Sequence, residues 1–196
     1  YLDGEWDSDD LPSLLRIFCR NLNELALAHR GLSSVVSISS RIAHRLARNS
    51  RAGSRRNIQS HYDLGNEFFE LFLDPSMMYS SAMFDGPDMS LEDAQLARLD
   101  RVCRMLDLQP SDHVIEIGTG WGGFALYAAR NYGCRVTTTT ISSKQYEFAR
   151  RRIATAGLFD RVEVLNQDYR DLSGRFDKLV SIELVEAVGH SFYDRY

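Results

Sequence analysis

The second half of the chain alternates short apolar runs with longer amphipathic stretches. Four runs of apolar and β-branched residues predict strands, namely HVIEI (113–117), CRVTTTTI (134–141), RVEVLN (161–166) and DKLVSI (177–182). Helices are predicted after the first strand, to about residue 131, and after the second strand, over residues 143–156. This alternation predicts right-handed βαβ units, and therefore an α/β fold in which a parallel sheet carries helices on both faces.

The first half of the chain predicts helices instead of strands. Asp10 precedes Leu11 and Pro12, which indicates an N-cap with proline in the first turn of a helix that runs to about residue 28. A second helix fits residues 33–49.

Two further helices are predicted before the first strand. Asn66 is a candidate cap for a short helix, EFFELFL (67–73), which should end before the following proline. Ser90 and Asp93 form a capping-box pattern for a helix that runs to about residue 106.

The charges are distributed unevenly along the chain, although the net charge is only −4. Residues 1–10 carry five acids and no base, whereas residues 41–56 carry six arginines and no acid. The basic stretch predicts either a solvated helix face or contact with an anionic membrane surface. Its Ser, Gly and Arg residues at 50–56 mark the expected boundary between an N-terminal helical segment, 1–56, and a domain over residues 57–196.

Composition excludes several classes of protein. Cys19, Cys103 and Cys134 are odd in number and far apart, so they form neither a disulfide framework nor a metal-ligand pattern, and a cytoplasmic location is expected. No apolar run approaches the roughly 20 residues that a membrane-spanning helix needs. No nucleic-acid-binding motif occurs either, and the oligomeric state is left open.

A glycine-rich turn, GTGWGG (118–123), follows the first predicted strand. Gly118, Gly120 and Gly123 match the G-x-G-x-x-G pattern of dinucleotide sites. An NAD site also needs an acid at the end of the second strand, and residues 137–140 are all threonine. Glu116, two residues before the first glycine, instead suits a cationic ligand. The pattern E-x-G-x-G-x-G resembles the first motif of S-adenosylmethionine (SAM)-dependent methyltransferases, although a turn that binds nothing stays an alternative.

Two polar residues beyond this turn are further candidates. Asp168 follows the third predicted strand, where this fold commonly places an acid that accepts a hydrogen bond from adenine; it could also be a simple turn residue. Gln145 either contacts the ribose or completes a capping box with Ser142.

Four segments together resemble the cyclopropane-fatty-acyl-phospholipid synthase family, which includes the mycolic acid cyclopropane synthases and related fatty-acid methyltransferases. They are NIQSHYDLGNEFFELFLDPSMMYSSAMF (57–84), VIEIGTGWGG (114–123), TTTISSKQ (138–145) and SIELVEAVGHSFY (181–193). The resemblance covers nearly the whole chain. It implies a Rossmann-like SAM-dependent methyltransferase fold, and the HYDLGN…FLDP…YSSA block is its most specific part.

The resemblance implies a set of SAM-binding residues. They are Tyr79, Ser80, Glu116, Gly118, Gly120, Thr139, Thr140, Gln145, Asp168 and Tyr169. The uncharged stretch MMYSSAMF (77–84) is therefore expected to form a pocket wall, whereas its composition alone favours plain core. The aromatic residues Tyr62, Phe68, Phe69 and Phe84 are of the kind that lines an acyl channel, but a core position is the commoner role for any one of them.

The implied reaction transfers a methyl group from SAM to the double bond of an unsaturated phospholipid acyl chain. Because an alkene is a poor nucleophile, such a site works largely by positioning. It must also exclude water from the carbocation that forms, and aromatic faces stabilise that cation. A base then removes one proton. In the family this base is a bound bicarbonate, held partly by a glutamate that corresponds to Glu186, with the Ile182 carbonyl beside it.

Two departures from the family pattern affect the expected product. Many cyclopropane synthases have cysteine after the Tyr-Ser pair, where the backbone helps to hold bicarbonate, and here that position is Ser81. A cyclopropane is expected, with a methylene or methyl-branched product as the alternative. Four strands alone leave a parallel sheet poorly covered, and the family's remaining bicarbonate ligands lie beyond residue 196, so the chain is expected to be part of a longer protein.

Two other functions stay open at this point. Plant N-methyltransferases that act on alkaloid precursors share much of the pattern, which allows a small-molecule methyltransferase. A non-catalytic SAM- or lipid-binding module is the third possibility, although Glu186 argues mildly against it. The leading interpretation is an enzyme of the cytoplasm that meets the inner membrane surface peripherally.

Overall fold

The computed structural model describes residues 7–21, 65–188 and 190–196. The chain divides into two compact units, Tyr1–Arg48 and Asn49–Tyr196. The second helix expected at 33–49 and the arginine-rich residues 41–56 lie outside the described residues. The proposed domain boundary at residue 56 therefore stays a prediction.

In the first unit, helix α1 spans Leu11–Arg20. The N–H of Ser13 donates to Asp10 Oδ1 at 3.0 Å, which confirms Asp10 as the residue that caps this helix. Its predicted continuation to residue 28 falls beyond the part of the unit that the structure describes.

The second unit is built on a parallel four-stranded sheet. Its strands are β1 (His113–Ile117), β2 (Arg135–Thr140), β3 (Val162–Asn166) and β4 (Lys178–Val180). The strand order is β3-β2-β1-β4. The α/β fold and all four predicted strands are thus confirmed, with ends that differ by at most two residues from the expected ones.

Helices precede and connect these strands. They are α2 (Asn66–Glu70), α3 (Leu91–Met105), α4 (Gly123–Tyr132), α5 (Ser143–Thr155) and α6 (Val185–Val188), with 3₁₀ turns at Tyr169–Asp171 and His190–Arg195. The Ser90 cap of α3 is confirmed, since Ser90 Oγ accepts from the N–H of Asp93 at 3.1 Å; the Ser90 hydroxyl in turn donates to Asp93 Oδ2 at 2.6 Å.

The predicted cap of α2 is wrong. Gly65 is the N-cap of the helix, and no side chain of the described residues caps it. Asn66 is the first helical residue, and its Oδ1 accepts a hydrogen bond from Trp121 Nε1 at 2.8 Å. The side-chain oxygen that would accept the capping hydrogen bond therefore accepts one from Trp121 instead.

The core lies where α3 and α4 pack on the sheet. Each strand contributes one buried valine, Val114, Val136, Val162 and Val180, and the helices add Leu99 and Phe124. All three cysteines are free, and Cys103 and Cys134 are buried. No helix in the described ranges is long and apolar enough to cross a membrane.

The chain reverses its direction of travel across the sheet at β1. It moves from β1 to β2 and β3 on one side, then returns to place β4 on the other side of β1. Ligands of open α/β folds bind at such a switch point, in the crevice beyond the carboxyl ends of the strands. The turn after β1 is therefore the place to look for a site.

Candidate functional site

The glycine turn after β1 is anchored to the end of β2. The N–H groups of Gly118 and Thr119 both donate to the Thr139 carbonyl oxygen at 3.0 Å. Gly118 and Gly120 have φ values of 100° and 52°, a left-handed backbone that glycine adopts without steric cost. A side chain at Gly120 would meet no atom within 4 Å, so the turn faces open space at the carboxyl edge of the sheet.

The stretch 77–84 begins directly against this turn. A Cβ placed on Gly123 would lie 2.8 Å from the Ser76 carbonyl oxygen and would also overlap Met78. Met77 is buried with Phe69 and Trp121 in a small apolar cluster. The plain-core alternative therefore describes the buried Met77, and the role of residues 77–84 as a pocket wall stays a prediction.

Arg152 of α5 fixes the beginning of this wall. Its Nη1 donates to the carbonyl oxygens of Ser76 and Trp121 at 2.9 Å, and its Nη2 donates to that of Pro75 at 2.9 Å. Burial lowers the pKa of Arg152, and the charge of Asp74 partly opposes that change. One guanidinium thus joins the wall to the glycine turn, and no sequence motif marked it.

Tyr79 and Ser80 extend along the wall. Tyr79 is half exposed and packs edge to face on Phe69, with ring centroids 5.2 Å apart. Two side chains of α3 hold Ser80: Gln95 Nε2 donates to its carbonyl oxygen at 2.7 Å, and Arg98 Nη2 donates to its hydroxyl at 2.5 Å. Both predicted residues therefore lie on a segment held by polar contacts, although neither Gln95 nor Arg98 was predicted.

Ser81 meets a carboxylate that the sequence analysis did not single out. Its N–H and its hydroxyl both donate to Glu183 Oε1, at 2.8 and 2.6 Å. The segment that carries Glu183 also lies at the turn, because Ser181 Oγ donates to the Ile117 carbonyl oxygen at 3.0 Å. Glu183 could have been considered from the sequence, because it is an acid three positions before Glu186 in the same motif.

Ile182 and Glu186 lie on the same post-β4 segment. Ile182 is partly buried against the core. Glu186 is exposed on α6, and within the described residues no hydrogen bond or ion pair involves its side chain. Their predicted roles in proton removal stay predictions.

The polar residues at the end of β2 bond to one another. Thr140 Oγ1 donates to Gln145 Oε1 at 2.9 Å, and Ser142 Oγ accepts from the Gln145 N–H at 3.3 Å. Half of the expected capping box is therefore present, while the Gln145 side chain turns to the strand. Thr139 Oγ1 donates to the Gln167 carbonyl oxygen at 2.5 Å and so ties β2 to the loop after β3.

Asp168 is buried and already paired in this structure. Its carboxylate accepts from Arg170 Nε at 2.8 Å and Nη2 at 2.5 Å, as well as from the Arg170 N–H. The hydrogen bond to Asp168 raises the pKa of Arg170. Tyr169 packs edge to face on Tyr196. An adenine at Asp168 would share this carboxylate with Arg170.

Glu116 is buried within β1, with 3% of its surface exposed. Burial raises the pKa of its carboxyl to about 8, and a hydrogen bond with Thr138 opposes this only in part. Its Oε2 has no hydrogen-bond partner among the residues that the structure describes. The carboxyl is thus largely neutral near pH 7, so it does not attract a cation by charge in this state, and its contact with a ligand stays a prediction.

A cavity of about 830 Å³ lies apart from these residues, between α3, α4 and α5. None of the predicted site residues lines it. Its walls include Leu96, Leu126, Phe148 and three arginines, of which Arg152 is one. The candidate site is therefore the carboxyl edge of the sheet and not this cavity.

Comparison with known proteins finds a family model and several relatives that match the chain. The family model described as mycolic acid cyclopropane synthetase matches residues 49–196. Tuberculostearic acid methyltransferase UfaA1 of Mycobacterium tuberculosis is 39% identical over 203 residues, which cover 100% of this chain and 47% of the relative. Cyclopropane-fatty-acyl-phospholipid synthase of Escherichia coli K12 is 40% identical over 198 residues, covering 100% and 49% of the two chains.

Solved structures give the same result. The crystal structure of mycolic acid cyclopropane synthase CmaA1 complexed with SAH and CTAB superposes with a TM-score of 0.68 at 36% identity. The match covers 71% of this chain and 49% of that one. The chain thus spans about half the length of the relatives that it matches.

The buried carboxyl of Glu116 should make the free energy of unfolding depend on pH. The folded state keeps its proton up to about pH 8, whereas an unfolded glutamate loses it near 4.5. Between these two pH values, the contribution of Glu116 to the free energy of unfolding falls by up to about 1.4 kcal/mol per pH unit as pH rises. Glu116→Gln should remove that slope, which urea unfolding at pH 5, 6.5 and 8 would measure. If the variant and parent curves stay parallel, while exposed Glu147→Gln also changes nothing, Glu116 is not neutral when folded.

Loss of the Arg152 guanidinium should loosen the pocket wall. Arg152→Met keeps an apolar stem but removes the donor to three carbonyl oxygens, and we expect a loss of roughly 2–3 kcal/mol in the free energy of unfolding. The free energy of unfolding of Arg152→Lys should lie between those of the parent and of Arg152→Met, because one ammonium group cannot replace all the donors of the planar guanidinium. Arg151→Met on the neighbouring exposed position is the control. Equal denaturation midpoints for the Arg151 and Arg152 methionine variants would contradict this role.

Proposed function

The chain belongs to the mycolic acid cyclopropane synthetase family, and from this premise we propose that it acts in SAM-dependent C-methylation of unsaturated phospholipid acyl chains. The observation that carries the proposal is the meeting of the 77–81 wall, the glycine turn and the post-β4 segment at the switch point of the sheet. A methyl donor and an acceptor must meet at such a point.

SAM is the proposed methyl donor, and it supplies an electrophilic methyl group. The open glycine turn fits it, since Gly118 and Gly120 bring backbone close to a ligand without side chains in the way. Tyr79 and Ser80 stand on the facing wall. Thr139, Thr140, Gln145, Asp168 and Tyr169 follow β2 and β3 at the same edge, and Glu116 lies buried in β1.

The acyl chain is the proposed acceptor because an aromatic cluster borders the wall. Phe68, Phe69, Phe72, Tyr79 and Trp121 pack mainly edge to face. Several of these rings are half exposed. Such a surface suits an apolar chain, and its ring faces stabilise a carbocation while they exclude water.

The product is proposed to be a cyclopropane. Identity does not separate the alternatives, because the tuberculostearic acid methyltransferase and the cyclopropane synthase match equally well, at 39% and 40%. Loss of a proton from the added methyl group gives the ring, whereas loss from a neighbouring carbon gives a methylene group. The position of the proton acceptor therefore decides the product.

Bicarbonate is the base that the family resemblance implies, with Ser81, Ile182 and Glu186 around it. In this chain the N–H and the hydroxyl of Ser81 already bind Glu183. Because this carboxylate occupies both donors, they do not fit a second anion.

Location and membrane contact are proposed from the sequence alone. The cysteine usage supports a cytoplasmic protein, and the arginines of residues 41–56 support peripheral contact with an anionic inner membrane surface.

SAM binding should depend on the open turn. Gly120→Val places a branched side chain where the ligand is expected, and calorimetry should show SAM and S-adenosylhomocysteine binding lost, with no binding of NAD in the parent. Gly157→Val is a matched control, because Gly157 also has positive φ and open space but lies after α5. Equal affinity of the two variants for SAM, or binding of NAD without SAM, would contradict the proposal that SAM is the methyl donor.

Methyl transfer should be directed at lipid. The intact protein, supplied with methyl-labelled SAM and vesicles of unsaturated phospholipid, should convert acyl chains to products heavier by one CH₂ unit and containing a ring. Mass spectrometry and proton NMR of the fatty acids would show this. Labelling of a small amine without lipid would favour the N-methyltransferase alternative, and SAM binding without any transfer would favour a binding module.

A further inference from the structure

Glu183 places an internal anion against Ser81. Its Oε1 accepts the Ser81 N–H at 2.8 Å and the Ser81 hydroxyl at 2.6 Å. A trigonal anion bound at this position would use the same two donors. Within the described residues no hydrogen bond involves Oε2, which leaves that oxygen available to take up a proton.

The backbone of Glu183 supports a functional role. Its φ of 48° is in the left-handed region, which non-glycine residues seldom adopt and which is found disproportionately at functional sites. The next residue, Leu184, lies 3.7 Å from the position of a Cβ on Gly118. The strained residue therefore lies beside the glycine turn.

A cation stands close to this carboxylate. Arg98 donates to the Ser80 hydroxyl at 2.5 Å, and the charges of Arg98 and Glu183 attract each other. Neighbouring serines are thus held by opposite charges, Ser80 by a guanidinium and Ser81 by a carboxylate.

We propose that the Glu183 carboxylate is the proton acceptor of this site and stands in the place of a bound bicarbonate. The assignment rests on the proposed function. In the step, a C–H bond of the transferred methyl group breaks and its electron pair closes the third carbon–carbon bond of the ring. The proton goes to a Glu183 oxygen, and the neutral carboxyl later releases it to solvent, so the positive charge that entered on SAM leaves as a proton.

Glu183→Gly tests the assignment without disturbing the backbone, because glycine adopts positive φ freely. The parent should be equally active in bicarbonate-free and bicarbonate-containing buffer. The variant should lose about 10²-fold or more in turnover on unsaturated phospholipid vesicles. Added bicarbonate should restore much of that loss, since the Ser81 donors are then free.

A direct binding measurement accompanies the rate. Line broadening of ¹³C-labelled bicarbonate in NMR should appear with Glu183→Gly and not with the parent. Adding Ser81→Ala to Glu183→Gly should weaken both the broadening and the rescue. Asp107→Gly is the matched control, because it also replaces an acid at positive φ, 49°, after α3, and it should show neither effect.

The outcomes separate the two proposals. A parent that needs bicarbonate, or a Glu183→Gly variant that is fully active without it, would overturn the role of Glu183. Bicarbonate binding to the parent as tight as to the variant would do the same. If the parent transfers no methyl group in either buffer while binding follows the expected pattern, the proposed function fails and the anion position at Ser81 stands.

Discussion

The structure depends on the parallel pairing of β1 with a strand on each side. Because β2 and β4 both bond to β1, the chain has to leave its carboxyl end through a sharp turn between two neighbours. Gly118 and Gly120 make that turn, and the Thr139 carbonyl oxygen holds it. The crevice at the switch point follows from this geometry, and so do the positions of the proposed SAM-binding residues that lie at the strand ends.

Side chains from distant elements hold the pocket wall through polar contacts. Arg152 binds its beginning, Gln95 and Arg98 bind Ser80, and Glu183 binds Ser81. Most of these contacts end on backbone carbonyl oxygens or serine hydroxyls, which an extended segment does not pair within itself. The wall is therefore ordered by α3, α5 and the post-β4 segment more than by its own secondary structure.

Local patterns were sufficient to predict the strands and most helix starts. Ser90 and Asp93 are three residues apart, so their bond could be read directly. Asn66 could not, because its partner Trp121 is brought to it only by the fold. The raised pKa of Glu116 depends on its burial within the folded sheet. The bond between Asp168 and Arg170 is local and could have been foreseen from the D-x-R spacing, whereas that between Ser81 and Glu183 could not.

That last bond joins residues 102 positions apart, and this has a consequence for how the molecule folds. The units from β1 to β3 form from contacts that are nearer in sequence, while β4 and the segment after it are added from farther away. Since contacts of long sequence separation tend to form late, we expect the wall and the post-β4 segment to come together after the folding nucleus has formed. Substitutions at the contact between these two segments should then change mainly the rate of unfolding and have little effect on the rate of folding.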